Sequence, residues 1–415
     1  TRVLVTRVLF GRDLTMNSLS ASALLDSITK ASRDEPDSGI SAAVNHGIGR
    51  PGIIPLWSGE GNLPTPEAFC RPAIDSLLKG ETFYTWQRGI PPLREALARY
   101  HGRHFGRSFE AENFFVTGGG MQAIQTILQM IAGEGDEIVL PTPAWPNYAG
   151  PMRMMGARPV EVALDFANGR WHLDLDKLFA AITPRSKAIV LNSPSNPVGW
   201  TASLEDLKAV RDECRKRGLW IVGDEVYSRF YYGDKGEARA PSFLDICDTD
   251  ERLLLANTFS KNWAMTGWRV GWLQAPRAVG PAIERIIQYN TSGTAAFLQQ
   301  GCAVALDDGE DFVAAQVAKA RANRDLAAAA LRAHPQIRFE LPRGAFYMFF
   351  ALDGMTDSLA TTYRIIDEAG IGLAPGGTFG PGGEGFLRMC FLRDPAKLSE
   401  AMDRFGKWLK TSKPV

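Results

Sequence analysis

Short apolar runs alternate with amphipathic stretches through the middle of the chain. "DEIVL" reads as a strand after "GEG", and "PNYAGPMRMMGA" as a helix. "RPVEVAL" is a strand, "DLDKLFAAI" a helix, "KAIVLNSP" a strand and "SLEDLKAVRDECRKRG" a helix. "LWIVGDEVY", "RLLLANTFS" and "RVGWLQAP" add three more strands. Strand and helix in such short steps predict a parallel or mostly parallel sheet covered by helices. Beyond about residue 305 the texture changes. "FVAAQVAKARANRDLAAAALRA" is a long Ala-rich helix, "IRFELPRGAFYMFFAL" two strands around a glycine turn, "TTYRIIDEAG" a helix and "GFLRMCFL" a strand. That pattern predicts a smaller α+β domain. Upstream, "SLSASALLDSITKAS" reads as a helix before a Gly/Pro-rich arm. The expected division is an N-terminal arm over 1–58 packing with the small domain, a large domain over 59–304 and a small domain over 305–415.

In open α/β sheets ligands bind at the carboxyl ends of the strands. Polar residues stand there: Asn196 after "AIVL", Asp224 after "LWIVG" and Lys261 after "LLLAN". Packing alone does not ask for three such endings.

Composition narrows the partners. The 415 residues are 45% hydrophobic and 22% charged, with Lys+Arg and Asp+Glu both 46, so no net charge draws the chain to nucleic acid or a membrane. No apolar run has the length of a membrane span. The five cysteines are scattered without a CxxC pair, which points to reduced thiols and the cytoplasm. The opening "TRVLVTRVLFGRDLT" is either a targeting peptide without a clear cleavage site or an extension ahead of Met16.

Chemistry concentrates in "TFSKNWAMTGWRVGW" and its surroundings. A lysine among aromatics loses hydration, its pKa falls, and it becomes a nucleophile or Schiff-base former; otherwise Lys261 is a snorkelling surface lysine. Asp224 needs a partner at the end of so apolar a strand, either Arg269 or a protonated ring nitrogen of a cofactor, and Tyr227 could reach the same ligand. In "VTGGGMQAIQTILQM" three glycines precede a helix and offer free N–H groups to an anion, although a plain loop has the same look. Neither a P-loop nor a dinucleotide fingerprint is present. Trp145 in "PAWPNY" either stacks on a flat cofactor or fills a core. Arg388 in "GFLRMCFL" either grips a ligand carboxylate or closes an internal salt bridge. His101 and His104 have helical metal spacing without further ligands nearby.

Taken in order from about Leu56 to Arg388, these segments resemble the pyridoxal-phosphate enzymes of fold type I, specifically the class I/II aminotransferases related to aspartate aminotransferase. "SK…MTGWRVG" is close to that family's lysine signature, "NPVG" is similar to its NPTG, and "DEVY", "YTWQRGIPPLREALARY" and "PTPAWPNY" are similarly near. The resemblance implies a large domain with a mostly parallel seven-stranded sheet and a smaller α+β domain. It implies that Lys261 holds pyridoxal phosphate as a Schiff base and that Asp224 pairs with the ring nitrogen. Tyr227 and Asn196 would contact the ring's phenolic oxygen, and Trp145 would stack on the ring. The amides of Gly120 and Met121, with Thr258 and Arg269, would bind the phosphate. Tyr84 would reach the cofactor of the other subunit of a homodimer. Arg388 would clamp the substrate α-carboxylate, with Gly59 and Asn196 beside it. The substrates would be an amino acid, aspartate first and an aromatic or neutral one next, and a 2-oxo acid.

Two family side chains are replaced, at Met121 and Val198, and "IIQYNTSGTAAF" offers no arginine in register for a distal carboxylate. A β-eliminating C–S lyase on the same fold is the alternative, and a non-catalytic regulator that binds the same cofactor is a more distant one.

Overall fold

The computed structural model describes residues 21–233 and 236–415. The chain divides into a unit over Thr1–Pro36 and a unit over Asp37–Val415. The "TRVLVTRVLFGRDLT" segment and Met16 lie outside the described residues. Within the first unit two short helices are described, Ala21–Asp26 and Lys30–Asp34, the second capped by the Thr29 side chain. The helix expected over "SLSASALLDSITKAS" is thus split, at Ser27–Thr29.

The second unit is built on a seven-stranded sheet: β1 (Phe114–Thr117), β2 (Glu137–Thr142), β3 (Arg158–Ala163), β4 (Ser186–Asn192), β5 (Trp220–Asp224), β6 (Leu253–Thr258) and β7 (Gly271–Gln274). The spatial order is β1-β7-β6-β5-β4-β2-β3. Only β7 runs antiparallel to its neighbours, β1 and β6. Helices cover both faces, so β5 and β6 are almost wholly buried and read as continuous apolar runs rather than alternations. The Leu204–Arg217 helix shows how local sequence sets an element. Ser203 and Asp206 close a capping box at its start, and Gly218, at φ 71°, ends it in the left-handed region.

A second sheet holds β8 (Ile337–Phe339), β9 (Tyr347–Leu352), β10 (Ala374–Pro375) and β11 (Phe386–Cys390) in the order β8-β9-β11-β10. Its antiparallel pairs sit under the long Glu310–Arg332 helix and the Pro395–Thr411 helix, around Phe346, Phe350, Leu387, Phe405 and Trp408.

The Gly/Pro-rich arm is more ordered than its composition implied. It contains a helix, Gly39–Gly47, capped by Ser38. Ile54 and Pro55 pair in parallel with Ile371 and Gly372, and His46 and Arg50 both reach Asp367. The Trp57 ring fills the space beside Gly47 and Gly372, where any Cβ would collide with it. Strand β1 lies in "NFFVTGGG", where the pattern of apolar residues predicts no strand. A hairpin that the pattern does not predict joins Asp165–Ala167 to Arg170–His172, and its Asn168-Gly169 turn has both φ values positive.

Candidate active site

The polar strand ends converge. Gly59, Gly120, Met121, Trp145, Asn196, Asp224, Tyr227, Thr258, Lys261, Arg269 and Arg388 all line one cavity of about 500 Å³. Of the residues singled out from sequence, Tyr84 stands apart. It is 94% exposed and borders a separate surface hollow with Thr82–Thr85 and Thr291–Ala295.

One end of the cavity is an anion cradle. Strand β1 stops at Thr117, and the Gly120–Ile131 helix begins after Gly119, whose φ is 86°. The first amides of a helix have no partner within it, so Gly120 and Met121 turn free N–H donors toward the cavity. Arg269 lies against this turn: a Cβ on Gly119 would fall 2.7 Å from its Nη2. Gly271 lets β7 run equally close, since a Cβ there would lie 2.7 Å from backbone atoms of Gly119, Gly120 and Asn257. Arg269 itself has φ 55°, and its Nη1 donates to Thr266 O at 2.8 Å. Thr258 ends β6, and its hydroxyl accepts the Ser260 N–H at 3.1 Å.

Lys261 follows β6 on a one-turn helix, Phe259–Asn262. Its Nζ donates to Gly59 O at 2.7 Å and stands 5.8 Å from the centre of the Tyr227 ring. Withdrawal from water, helped by the Arg388 and Arg269 cations, pushes its pKa down to about 8 against the opposing pull of Cys390 and Glu60.

Asp224 ends β5 and is buried. Tyr148 OH donates to its Oδ2, and the Val226 N–H to its Oδ1 at 3.2 Å. Burial raises its pKa, opposed by these two donors and by Lys261. The alternative pairing with Arg269 is not made. Arg388, 3% exposed, donates through Nη1 to Asn196 Oδ1 at 2.9 Å and through Nη2 to Trp57 O. Its Nε has no partner, and its guanidinium lies over the rings of Tyr347 and Phe379 at 4.6 and 5.0 Å. The internal salt bridge considered for it is likewise absent.

The charge balance of the cavity is its most informative property. Among the described residues no carboxylate forms an ion pair with Lys261, Arg269 or Arg388, and no lysine or arginine forms one with Asp224. Glu60 also lines the cavity and acts on Lys261 through space, while Arg269 is exposed, so the buried charges left uncompensated are those of Arg388 and Asp224. Such charges are costly, and together with Arg269 at the helix start they make the cavity complementary to a ligand that brings two anionic groups and one cation.

Several lining residues were not anticipated. Tyr148 closes "PAWPNY", three residues after the tryptophan that the sequence singles out. Asn192 ends β4, where its Nδ2 donates to Asp224 O at 3.0 Å and its Oδ1 accepts the Asn196 N–H at 2.7 Å. Tyr347, on β9, shares a 2.7 Å hydrogen bond with Tyr227 OH. Ile40, Trp57, Ser58, Glu60 and Ser260 also line the walls, with Asn147, Val226 and Thr266. The tryptophans of the lysine segment serve packing. Trp263 and Trp272 are both 1% exposed and pack on Phe259. His101 bonds Leu97 O and is pushed down to about 4 by burial, while His104 contacts Glu310 and Arg229, so both have structural partners.

The model of the family aminotransferase class I and II matches residues 51–405, and the chain belongs to that family. It is 33% identical over 364 residues to the aspartate aminotransferase of Pyrococcus horikoshii, covering 87% of this chain and 92% of that one. It is also 33% identical to an aromatic-amino-acid aminotransferase of Thermococcus litoralis, covering 88% of this chain and 93% of that one. The solved aspartate aminotransferase of Thermus thermophilus with maleate superposes with a TM-score of 0.84 at 31% identity, over 92% of this chain and 99% of that one. The fold is that of the fold type I enzymes, the protein is a transaminase, and its cofactor is pyridoxal 5'-phosphate. The cavity fits that group: a helix start beside an unpaired arginine suits a phosphate, an unpaired buried carboxylate suits a protonated ring nitrogen, and a lysine of lowered pKa suits an aldehyde.

Proposed function

We propose that this enzyme moves the amino group of an α-amino acid to a 2-oxo acid such as 2-oxoglutarate or pyruvate by a ping-pong mechanism. Aspartate is the first donor to test, followed by aromatic and neutral amino acids. We further propose a cytoplasmic homodimer divided near residues 58 and 304, with Tyr84 serving the partner's cavity. Among the described residues no helix is long and apolar enough to cross a membrane.

Each side chain then has a task. The Gly120 and Met121 amides, Thr258 and Arg269 take the phosphate. Asp224 holds the ring nitrogen protonated, and Tyr148 and Val226 fix the carboxylate that does so. Tyr227 and Asn196 address the ring's phenolic oxygen, and Trp145 stacks on the ring. Bound pyridoxal phosphate supplies an electron-withdrawing ring that acidifies the substrate Cα–H. Arg388 takes the α-carboxylate, with Asn196 and Gly59 beside it. With a pKa of about 8, the Lys261 amine is deprotonated often enough near neutrality to accept that proton and return it.

The observation that carries this reading is Arg388: a buried guanidinium with no carboxylate partner among the described residues and an unpartnered Nε, in the same cavity as Lys261. The test uses single amino acids without an oxo acid. A transaminase stops after one equivalent of oxo acid per site, and a second oxo acid restores its spectrum. Continuous release of pyruvate and ammonia would instead establish the β-eliminating lyase. No exchange between any amino acid and any oxo acid would sink the transaminase mechanism and leave the non-catalytic regulator.

A further inference from the structure

Tyr347 sits where three functional groups meet, and nothing in the sequence marked it. Its hydroxyl is 2.7 Å from the Tyr227 hydroxyl. Its ring carries the Arg388 guanidinium at 4.6 Å. Its hydroxyl also presses on Gly59, where a Cβ would lie only 2.2 Å away, and the carbonyl of Gly59 is the acceptor for Lys261 Nζ. The residue is 1% exposed and stands on β9, paired with the β11 strand that bears Arg388.

We propose that Tyr347 is a positioning residue that donates its hydroxyl proton to Tyr227, so that the Tyr227 phenol is left to donate into the cavity, while its ring supports Arg388. The direction of donation follows from the neighbours. The Arg388 cation lies 4.6 Å from the centre of the Tyr347 ring, closer than the 5.8 Å between Lys261 Nζ and the Tyr227 ring, and so acidifies the Tyr347 hydroxyl more. Burial raises the pKa of both hydroxyls; at Tyr347 Arg388 and Arg393 oppose that rise and Cys390 adds to it, whereas at Tyr227 the Tyr347 hydroxyl and Asp224 add to it and Arg388 opposes it. The better acid is the better donor. A phenol that accepts one hydrogen bond is polarised and gives a stronger one to an anionic oxygen. The two parts of Tyr347 therefore do different work: the hydroxyl acts on the cofactor end through Tyr227, and the ring acts on the carboxylate end through Arg388.

This inference rests on the reading in which Tyr227 faces the cofactor and Arg388 the substrate carboxylate, and its test separates the two. The holoenzyme is titrated with pH while its visible absorbance is followed, in wild type, Tyr227→Phe, Tyr347→Phe and the double variant. A donor from Tyr227 stabilises the deprotonated form of the lysine-bound cofactor, so losing it raises the midpoint. The expected result is a rise of about one pH unit in Tyr347→Phe, a rise at least as large in Tyr227→Phe, and no further rise in the double variant. Binding of pyruvate should change less than about twofold in Tyr347→Phe, which keeps the ring, and weaken by about fivefold or more in Tyr347→Leu, which does not. An unshifted Tyr227→Phe overturns the site reading and this inference with it. A shifted Tyr227→Phe with an unshifted or additive Tyr347→Phe overturns this inference alone. Equal pyruvate binding in Tyr347→Phe and Tyr347→Leu removes the role of the ring.

Discussion

At the scale of residues, the site works by withholding partners. Among the described residues Lys261, Arg269, Arg388 and Asp224 are held by neutral hydrogen bonds and form no ion pair, which leaves them to a ligand. Arg388→Lys keeps a charge but loses the planar fork. The KM for the amino acid should then rise about 10- to 100-fold with the cofactor spectrum unchanged. Tyr148→Phe removes a donor from the buried Asp224 carboxylate, and cofactor affinity measured by equilibrium titration should fall about tenfold. The depressed pKa of Lys261 gives a pH signature. The amine is the reactive form, so the rate at which apoenzyme captures pyridoxal phosphate should rise with pH through a midpoint near 8, not near the ordinary lysine value of about 10.5. Asp224 and Lys261 were legible in the sequence because each is a polar residue at or within a few positions of the end of an apolar strand; Asn196 was legible in "NPVG", four residues past β4, while Asn192 at the strand end itself was not. Tyr148 and Tyr347 were not, because a tyrosine in an aromatic-rich segment has the look of core until its hydroxyl is seen to have a partner.

At the scale of elements, glycines set the geometry of the anion cradle. Gly271→Ala would drive a methyl group into the Gly119–Gly120 backbone. The expected outcome is a loss of about 1–3 kcal/mol in denaturant unfolding together with weakened cofactor binding, because the shifted backbone is the proposed phosphate site. Ser203→Ala is the control. Breaking that capping box should cost about 1 kcal/mol and leave the spectrum of the loaded enzyme as it was. Periodicity announced the buried parallel strands, since helices on both faces leave them uniformly apolar. It did not announce β1, because four residues running into three glycines read as the approach to a loop. The Gly39–Gly47 helix was hidden for a similar reason. Its ordering comes from Ser38 at its cap and from packing of the arm on residues more than 300 positions later, such as Asp367.

At the scale of the whole molecule, the surface carries Phe83, Tyr84 and Trp86 at 86, 94 and 60% exposure. Large aromatics so exposed and so near in sequence suit a subunit interface. Sedimentation should give twice the mass of the 415-residue chain, and Tyr84→Phe should weaken cofactor binding only in the dimer. A monomer of full activity would remove that role for Tyr84. The most direct test of the central claim fixes the cofactor where it is bound. The loaded enzyme is reduced with borohydride, digested and mapped by mass spectrometry, alongside Lys261→Ala. One adduct is expected, on Lys261, and none in the variant; a reducible adduct that persists in Lys261→Ala would overturn the assignment of this lysine.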